Sequence, residues 1–137
     1  MTKLVSAGII VKYRDRYLLG HVTGHDSYDI FKGRTEEGES YIQTALRECQ
    51  EESGIEFTED QLHYLGYHTY IPKKDLVLYV ARIDELYISD LKCSTVFDNG
   101  KPEMDSYATF EFDDMIPYLG RNMGRVLSSL KHEIESY

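Results

Sequence analysis

A chain of 137 residues, 42% hydrophobic and 28% charged, reads as one globular domain, 1–137, large enough to bury a core without metal or disulfide staples. No apolar run approaches the roughly 18–20 residues that span a bilayer, so no membrane partner is expected. Fifteen Lys+Arg against twenty-four Asp+Glu give a net charge of −9, which disfavours long nucleic acids as partners. A small anionic substrate is still admissible where divalent cations stand between it and the protein. The apolar start Leu4–Val11 runs straight into charged residues without a small-residue cleavage site, so a signal peptide is not expected. Two cysteines, Cys49 and Cys93, suit a reducing compartment, and the expected location is cytoplasmic.

In chain order, Leu4–Val11 and Tyr17–Val22 read as strands joined by a turn at Arg14-Asp15-Arg16. Tyr28–Phe31 is a short extended piece ending at Lys32-Gly33, and the polar stretch Gly33–Glu39 reads as a loop. Ser40 with Gln43 forms a capping-box pattern that starts a helix, and Gly54 stands where a glycine C-cap falls. Ile42, Ala45, Leu46 and Cys49 give that helix an apolar stripe. Leu62–Ile71 and Leu76–Ile83 are β-rich, with a turn at Pro72–Asp75. A strand pair is expected around Asp98-Asn99-Gly100, and Tyr107–Phe112 alternates as a strand. Leu119, Met123, Val126, Leu127, Leu130 and Ile134 mark one C-terminal amphipathic helix. Strands interleaved with two helices predict an α/β or α+β sandwich on a mixed sheet.

The helix after Ser40 carries the chemistry. At 100° per residue, Glu48, Glu51 and Glu52 fall within a sector of roughly 100° that borders the apolar stripe. Three carboxylates held together at the edge of a core repel one another, and an oxygen-seeking divalent cation offsets that repulsion. Most glutamate-rich helix faces are merely solvated; here the spacing argues otherwise. Gly33, five residues, Glu39, seven residues, Arg47-Glu48, an apolar residue, any residue, Glu51-Glu52, any residue, Gly54 and an apolar residue form one pattern. At about one in twenty per fixed identity, it arises by chance roughly once in 10⁸ chains of this length.

The pattern is a complete Nudix box, and the chain resembles the Nudix hydrolases over nearly its whole length. Tyr28-Asp29-Ile30-Phe31-Lys32-Gly33 matches the strand that precedes the box in similar members, with Tyr28 and Phe31 where many carry Trp and Pro. Pro102-Glu103-Met104-Asp105, followed by Phe110, looks like a later element of such relatives. The resemblance implies an α/β/α sandwich around a central mixed sheet. It also implies hydrolysis of a phosphoanhydride in a nucleoside diphosphate linked to another group X, with Mg²⁺ or Mn²⁺ as cofactor. On this likeness Glu48, Glu51 and Glu52 ligate one to three ions together with the Gly33 carbonyl. Arg47 orients the glutamates, while Glu39 and Gly54 steady the loop–helix unit. Glu48, Glu52 and Glu103 are the candidates for the general base.

Lys32 is the candidate to meet a substrate phosphate, and Tyr28 a candidate wall for a base, against the commoner role of a strand tyrosine in a core. His21 and His25 show no zinc spacing, and Cys49 on the apolar stripe reads as core. The Lys-Gly approach to the box resembles that of dinucleoside polyphosphate hydrolases, and the likeness makes those substrates the leading expectation. Nucleoside triphosphates, ADP-ribose and the 5′ end of RNA follow, the last disfavoured by the acidic surface. A Nudix-fold binding module without turnover is the rival from another class, and the intact set of box glutamates argues against it. The expected partner is a small nucleotide, and the protein is expected to be a monomer or homodimer.

Overall fold

The structure, a computed structural model, describes residues 3–137. Strands β1 (Leu4–Tyr13) and β2 (Arg16–Val22) form a hairpin whose turn is Arg14-Asp15, with Arg14 in the left-handed region at φ 54°. Next come β3 (Tyr28–Asp29), β4 (Phe31–Arg34), helix α1 (Tyr41–Ser53), β5 (His63–Ile71) and β6 (Lys74–Ile83). The chain ends with β7 (Met104–Phe110) and the helices α2 (Phe112–Met115), α3 (Arg121–Ser129) and α4 (Lys131–Ser136). The sheet runs β3-β2-β1-β6-β5, with β4 also on β1 and β7 also on β2. It is mixed because β1 and β6 run parallel, Leu4 opposite Lys74 through Tyr13 opposite Ile83, while the other pairs are antiparallel.

The feature that positions the site is a fork. β1 and β2 pair only from Val11↔Leu18 to Tyr13↔Arg16. Beyond that, β1 pairs with β4 (Ser6↔Arg34 to Ile9↔Phe31) and β2 with β3 (Gly20↔Asp29, His21↔Tyr28). Residues 28–34 therefore fill the opening between two diverging strands. Gly8 permits this approach: a Cβ there would lie 2.5 Å from Lys32 Cβ and 2.8 Å from the Phe31 carbonyl oxygen.

Alternation along β1 and β6 feeds two cores, one on each face. Ala7, Ile9, Val11, Val77 and Ala81 pack with Phe31, Ala45 and Cys49 beneath α1. Ile10, Leu76, Leu78 and Val80 pack with Phe112, Met115, Met123, Leu127 and Ile134 beneath the C-terminal helices. The buried Lys12 faces that second layer and donates to the Ile134 and Glu135 carbonyls at 3.2 and 2.8 Å, satisfying the end of α4. Helix α1 has both caps in place. Ser40 and Gln43 bond reciprocally, and Gly54 at φ 83° donates to the Gln50 carbonyl. No helix among the described residues is long and apolar enough to cross a membrane.

Three sequence expectations are corrected. The single C-terminal helix is broken: Gly120 is extended at ψ 151° and serves as the N-cap of α3, and Leu130 at φ −108°, ψ 7° separates α3 from α4. Beyond the break, Ile134 of α4 stays buried in the second core. The expected strand pair around Asp98-Asn99-Gly100 reduces to one bridge, Val96↔Pro102. Gly33 lies in β4 opposite Ala7 instead of in the loop, which begins at Thr35. The fork demands close backbone approach at Gly8, so Gly8→Ala is expected to destabilise the protein by about 1–3 kcal/mol, the usual range for overpacking. A thermal melt coincident with wild type would show that β4 does not sit so tightly on β1.

Candidate active site

Helix α1 packs its apolar stripe on the sheet so that its next turn brings Glu48, Glu51 and Glu52 to the mouth of the fork. There they line a cleft of about 570 Å³ with Asp29, Lys32, Gly33, Arg47, Thr95, Phe97 and Glu103. Glu48 lies directly on Gly33, where a Cβ would fall 2.0 Å from its carboxyl carbon, so a side chain at position 33 would displace the Glu48 carboxylate. Glu52 is 8% exposed, and its Oε1 accepts the Lys32 backbone N–H at 2.7 Å. Burial pushes its carboxyl up to about 9, helped by the Glu48 charge and opposed by the Lys32 N–H. Burial likewise raises Glu48, against the pull of Arg47.

Arg47 organises the rest. Its Nε and Nη2 grip the two oxygens of Glu39 at 2.7 and 2.9 Å, and Nη2 also donates to the Arg34 carbonyl at 3.2 Å. Its Nη1 reaches Glu48 at 2.9 Å and Glu51 at 3.2 Å. The bidentate pair is the strong form of such a contact. Arg47, with the Thr44 hydroxyl and the Glu36 N–H, holds the Glu39 carboxyl down to about 2. Lys32 is partly buried, its Nζ 2.8 Å from Asp29 and 6.0 Å from the centre of the Tyr70 ring. Burial works against its charge, but Asp29 and neighbouring groups raise it above the ordinary lysine range.

Glu103 comes from the segment before β7, and its Oε2 accepts the Thr95 hydroxyl at 2.7 Å. Tyr28 does not line the cleft. Strand alternation turns its neighbour Asp29 there, while Tyr28 packs edge-on against His21, Phe110 and Tyr118 on the face of the C-terminal helices. His21 pairs with Asp105 at 2.6 Å. His25 is exposed and absent from the cleft lining. Cys49 is buried beneath α1, where burial pushes its thiol up to about 12.

Sequence reasoning missed the clamp on the end of α1. Ser94 N–H donates to the Glu51 carbonyl at 2.7 Å, Lys92 N–H to Ser53 at 3.1 Å, and the Tyr107 hydroxyl to Glu52 at 2.6 Å. With Gly54 on Gln50, the last carbonyls of the helix all find donors. The same segment thus ties Glu103 to the glutamate helix. No local spacing signals it, because its partners lie some forty to fifty-five residues apart in the chain. Asp29, Thr95 and Phe97 reach the cleft the same way, through tertiary placement alone.

The donors suit a hard divalent ion, all being carboxylate or carbonyl oxygens around one cleft. Among the described residues no three acidic groups yet converge on a point. Arg47 holds Glu48 and Glu51, the Lys32 N–H holds Glu52, and Thr95 holds Glu103.

A family model, the NUDIX domain, matches residues 2–130. The chain belongs to the Nudix family, and it is a pyrophosphohydrolase of that class. Nudix enzymes typically use divalent metals. Among curated proteins, none matches the sequence. Among solved structures the chain is similar to the C. elegans Ap4A hydrolase binary complex, with TM-score 0.73 and 21% identity over 96% of this chain and 99% of that one. It is similar to the NUDIX domain of Shewanella oneidensis NrtR complexed with ADP ribose, with TM-score 0.73 and 13% identity over 97% and 89%. It also resembles a bifunctional NMN adenylyltransferase/ADP ribose pyrophosphatase from Francisella tularensis complexed with AMP and Mn ion, with TM-score 0.70 and 16% identity. That last match covers 97% of this chain and 42% of the other. At such identities the likeness speaks for the fold.

Two outcomes test this geometry. Tyr107→Phe removes one O–H from the Glu52 carbonyl and is expected to cost about 1–2 kcal/mol in denaturant titration; an unchanged midpoint would mean the clamp is idle. In metal-free buffer, native Glu52 keeps its proton up to about 9, whereas an unfolded glutamate releases it near 4.5. The native state therefore binds more protons across that window, and this contribution to stability is lost as pH rises. Glu52→Gln stays neutral, so its melting temperature relative to wild type is expected to climb from pH 5 to pH 9. A flat difference would refute the raised carboxyl.

Proposed function

We infer that this chain hydrolyses a phosphoanhydride bond in a nucleoside diphosphate linked to X, with dinucleoside polyphosphates as the leading substrate class. The observation that carries the reading is the meeting, in one cleft, of Glu48, Glu51 and Glu52 from α1 with Glu103 from a distant segment, beside the ammonium of Lys32. The Lys32-Gly33 approach to the box supports the substrate class. So does the similarity to the Ap4A hydrolase, which extends over nearly the whole of both chains.

Glu48, Glu51, Glu52 and the Gly33 carbonyl would hold Mg²⁺ or Mn²⁺. Such an ion supplies charge neutralisation on the phosphates and a bound water of lowered pKa. The chain's own groups do the rest. Lys32 offers its ammonium to a phosphate oxygen, shared with Asp29. Arg47 is a positioning residue that keeps Glu48 and Glu51 side by side against Glu39. A carboxylate (Glu48, Glu52 or Glu103) takes the proton of the attacking water as its oxygen bonds to phosphorus and the anhydride P–O bond breaks. Two phosphorylated products leave.

The test is a substrate panel in Mg²⁺ and in Mn²⁺: diadenosine polyphosphates, canonical and oxidised nucleoside triphosphates, ADP-ribose and 5′-triphosphate RNA. Products are resolved by chromatography, with Glu52→Gln alongside. The expected result is metal-dependent cleavage, fastest on a diadenosine polyphosphate and reduced at least about 100-fold in Glu52→Gln, a loss of the size general base catalysis contributes. Faster turnover of another member would reassign the substrate. Equal turnover by both proteins would remove the glutamate helix from the mechanism.

A further inference from the structure

Phe97 is a large apolar ring in a largely polar cleft. It is 36% exposed and belongs to neither apolar core. Yet it lines the cleft, as do Val22 and Met104, in a wall otherwise dominated by carboxylates, lysine and arginine. The exposed part of this ring leaves apolar surface in water unless something covers it. The ring also stands on a defined turn. The Phe97 N–H donates to the Lys101 carbonyl at 2.8 Å, and the Gly100 N–H donates back to the Phe97 carbonyl at 2.9 Å. Gly100 sits at φ 83°, a conformation that favours glycine, and the Val96↔Pro102 bridge closes the turn. The flanking residues Thr95 and Glu103 both line the cleft and bond to each other, so the ring keeps a set offset from the carboxylates.

A ring held over an anionic cleft of about 570 Å³ fits a ligand with a charged end and a flat apolar end. We propose that Phe97 is the platform on which a nucleobase of the substrate stacks while its phosphates lie against the glutamate helix. This rests on the reading that the substrate carries a nucleoside. Every base offers a π-face, so the platform confers affinity for nucleotides as a class and leaves discrimination among bases to other groups.

The chain contains no tryptophan, so Phe97→Trp introduces a single indole at the platform. In Mg²⁺ its fluorescence is expected to be quenched saturably by AMP and by diadenosine tetraphosphate, and to ignore inorganic pyrophosphate. Phe97→Ala is expected to raise KM for diadenosine tetraphosphate about ten-fold, with kcat within about two-fold, as one lost stacking contact predicts. Because the ring is outside both cores, the variant is expected to remain folded, and assaying it well below its own melting temperature separates lost stacking from lost folding. An indole silent to both nucleotides, or an unchanged KM in Phe97→Ala, overturns the platform. Quenching by AMP in a protein that hydrolyses none of the panel upholds the platform and overturns the hydrolytic reading. Hydrolysis without quenching does the reverse.

Discussion

Carboxylates crowded on one helix and its loop would push apart, and the guanidinium of Arg47 is what allows them to stay together. It grips Glu39 with two nitrogens and reaches Glu48 and Glu51 with the third. It also ties the loop carbonyl of Arg34 to the helix. A lysine could supply the charge but not a rigid fork with five donors. Remove this clamp and the loop from Thr35 to Ser40 loses its main polar link to α1, apart from Thr44 and the cap. The spacing of the Nudix box is thus a bonding diagram: Glu39 lies on the loop at the distance that lets Arg47 bridge it to the carboxylates one turn along.

Glu52 depends on a different constraint. Its carboxyl is buried against β4 and survives there because the Lys32 N–H, unused by the sheet, points at it. That N–H is available only because β1 and β2 diverge and β4 enters between them. The packing of Gly8 against β4, the seating of Glu48 on Gly33 and the bond to Glu52 form one chain of close contacts. Each link is set by the absence of a side chain or by one backbone donor. Such contacts are what packed interiors hold to small tolerances.

The segment before β7 completes the cleft from the other side. It binds the open carbonyls at the end of α1 and, in doing so, brings Thr95, Phe97 and Glu103 opposite the glutamates. A helix end that needed donors has become the anchor of a wall. The chemistry of that wall differs from the rest of the cleft, since it contributes the exposed ring as well as a further carboxylate.

From the sequence alone, the strands of the hairpin, the extent of α1 with both caps, the two apolar faces and the glutamate cluster were legible. All are local: periodicity, capping chemistry and box spacing act within a few turns of chain. The box also carried the family. What lay beyond it was set by contacts between segments far apart. The last helix broke at Leu130, whose backbone leaves the helical conformation between α3 and α4. Strand alternation sent Tyr28 to the wrong face for the cleft and Asp29 to the right one, a matter of register that only pairing with β2 decides. Tyr107, Ser94, Thr95 and Phe97 gave no signal at all, because a hydroxyl, an N–H or a ring acquires its role from the partner that folding brings to it. Local pattern determined which groups this protein carries on its helix; the forked sheet decided which others would meet them.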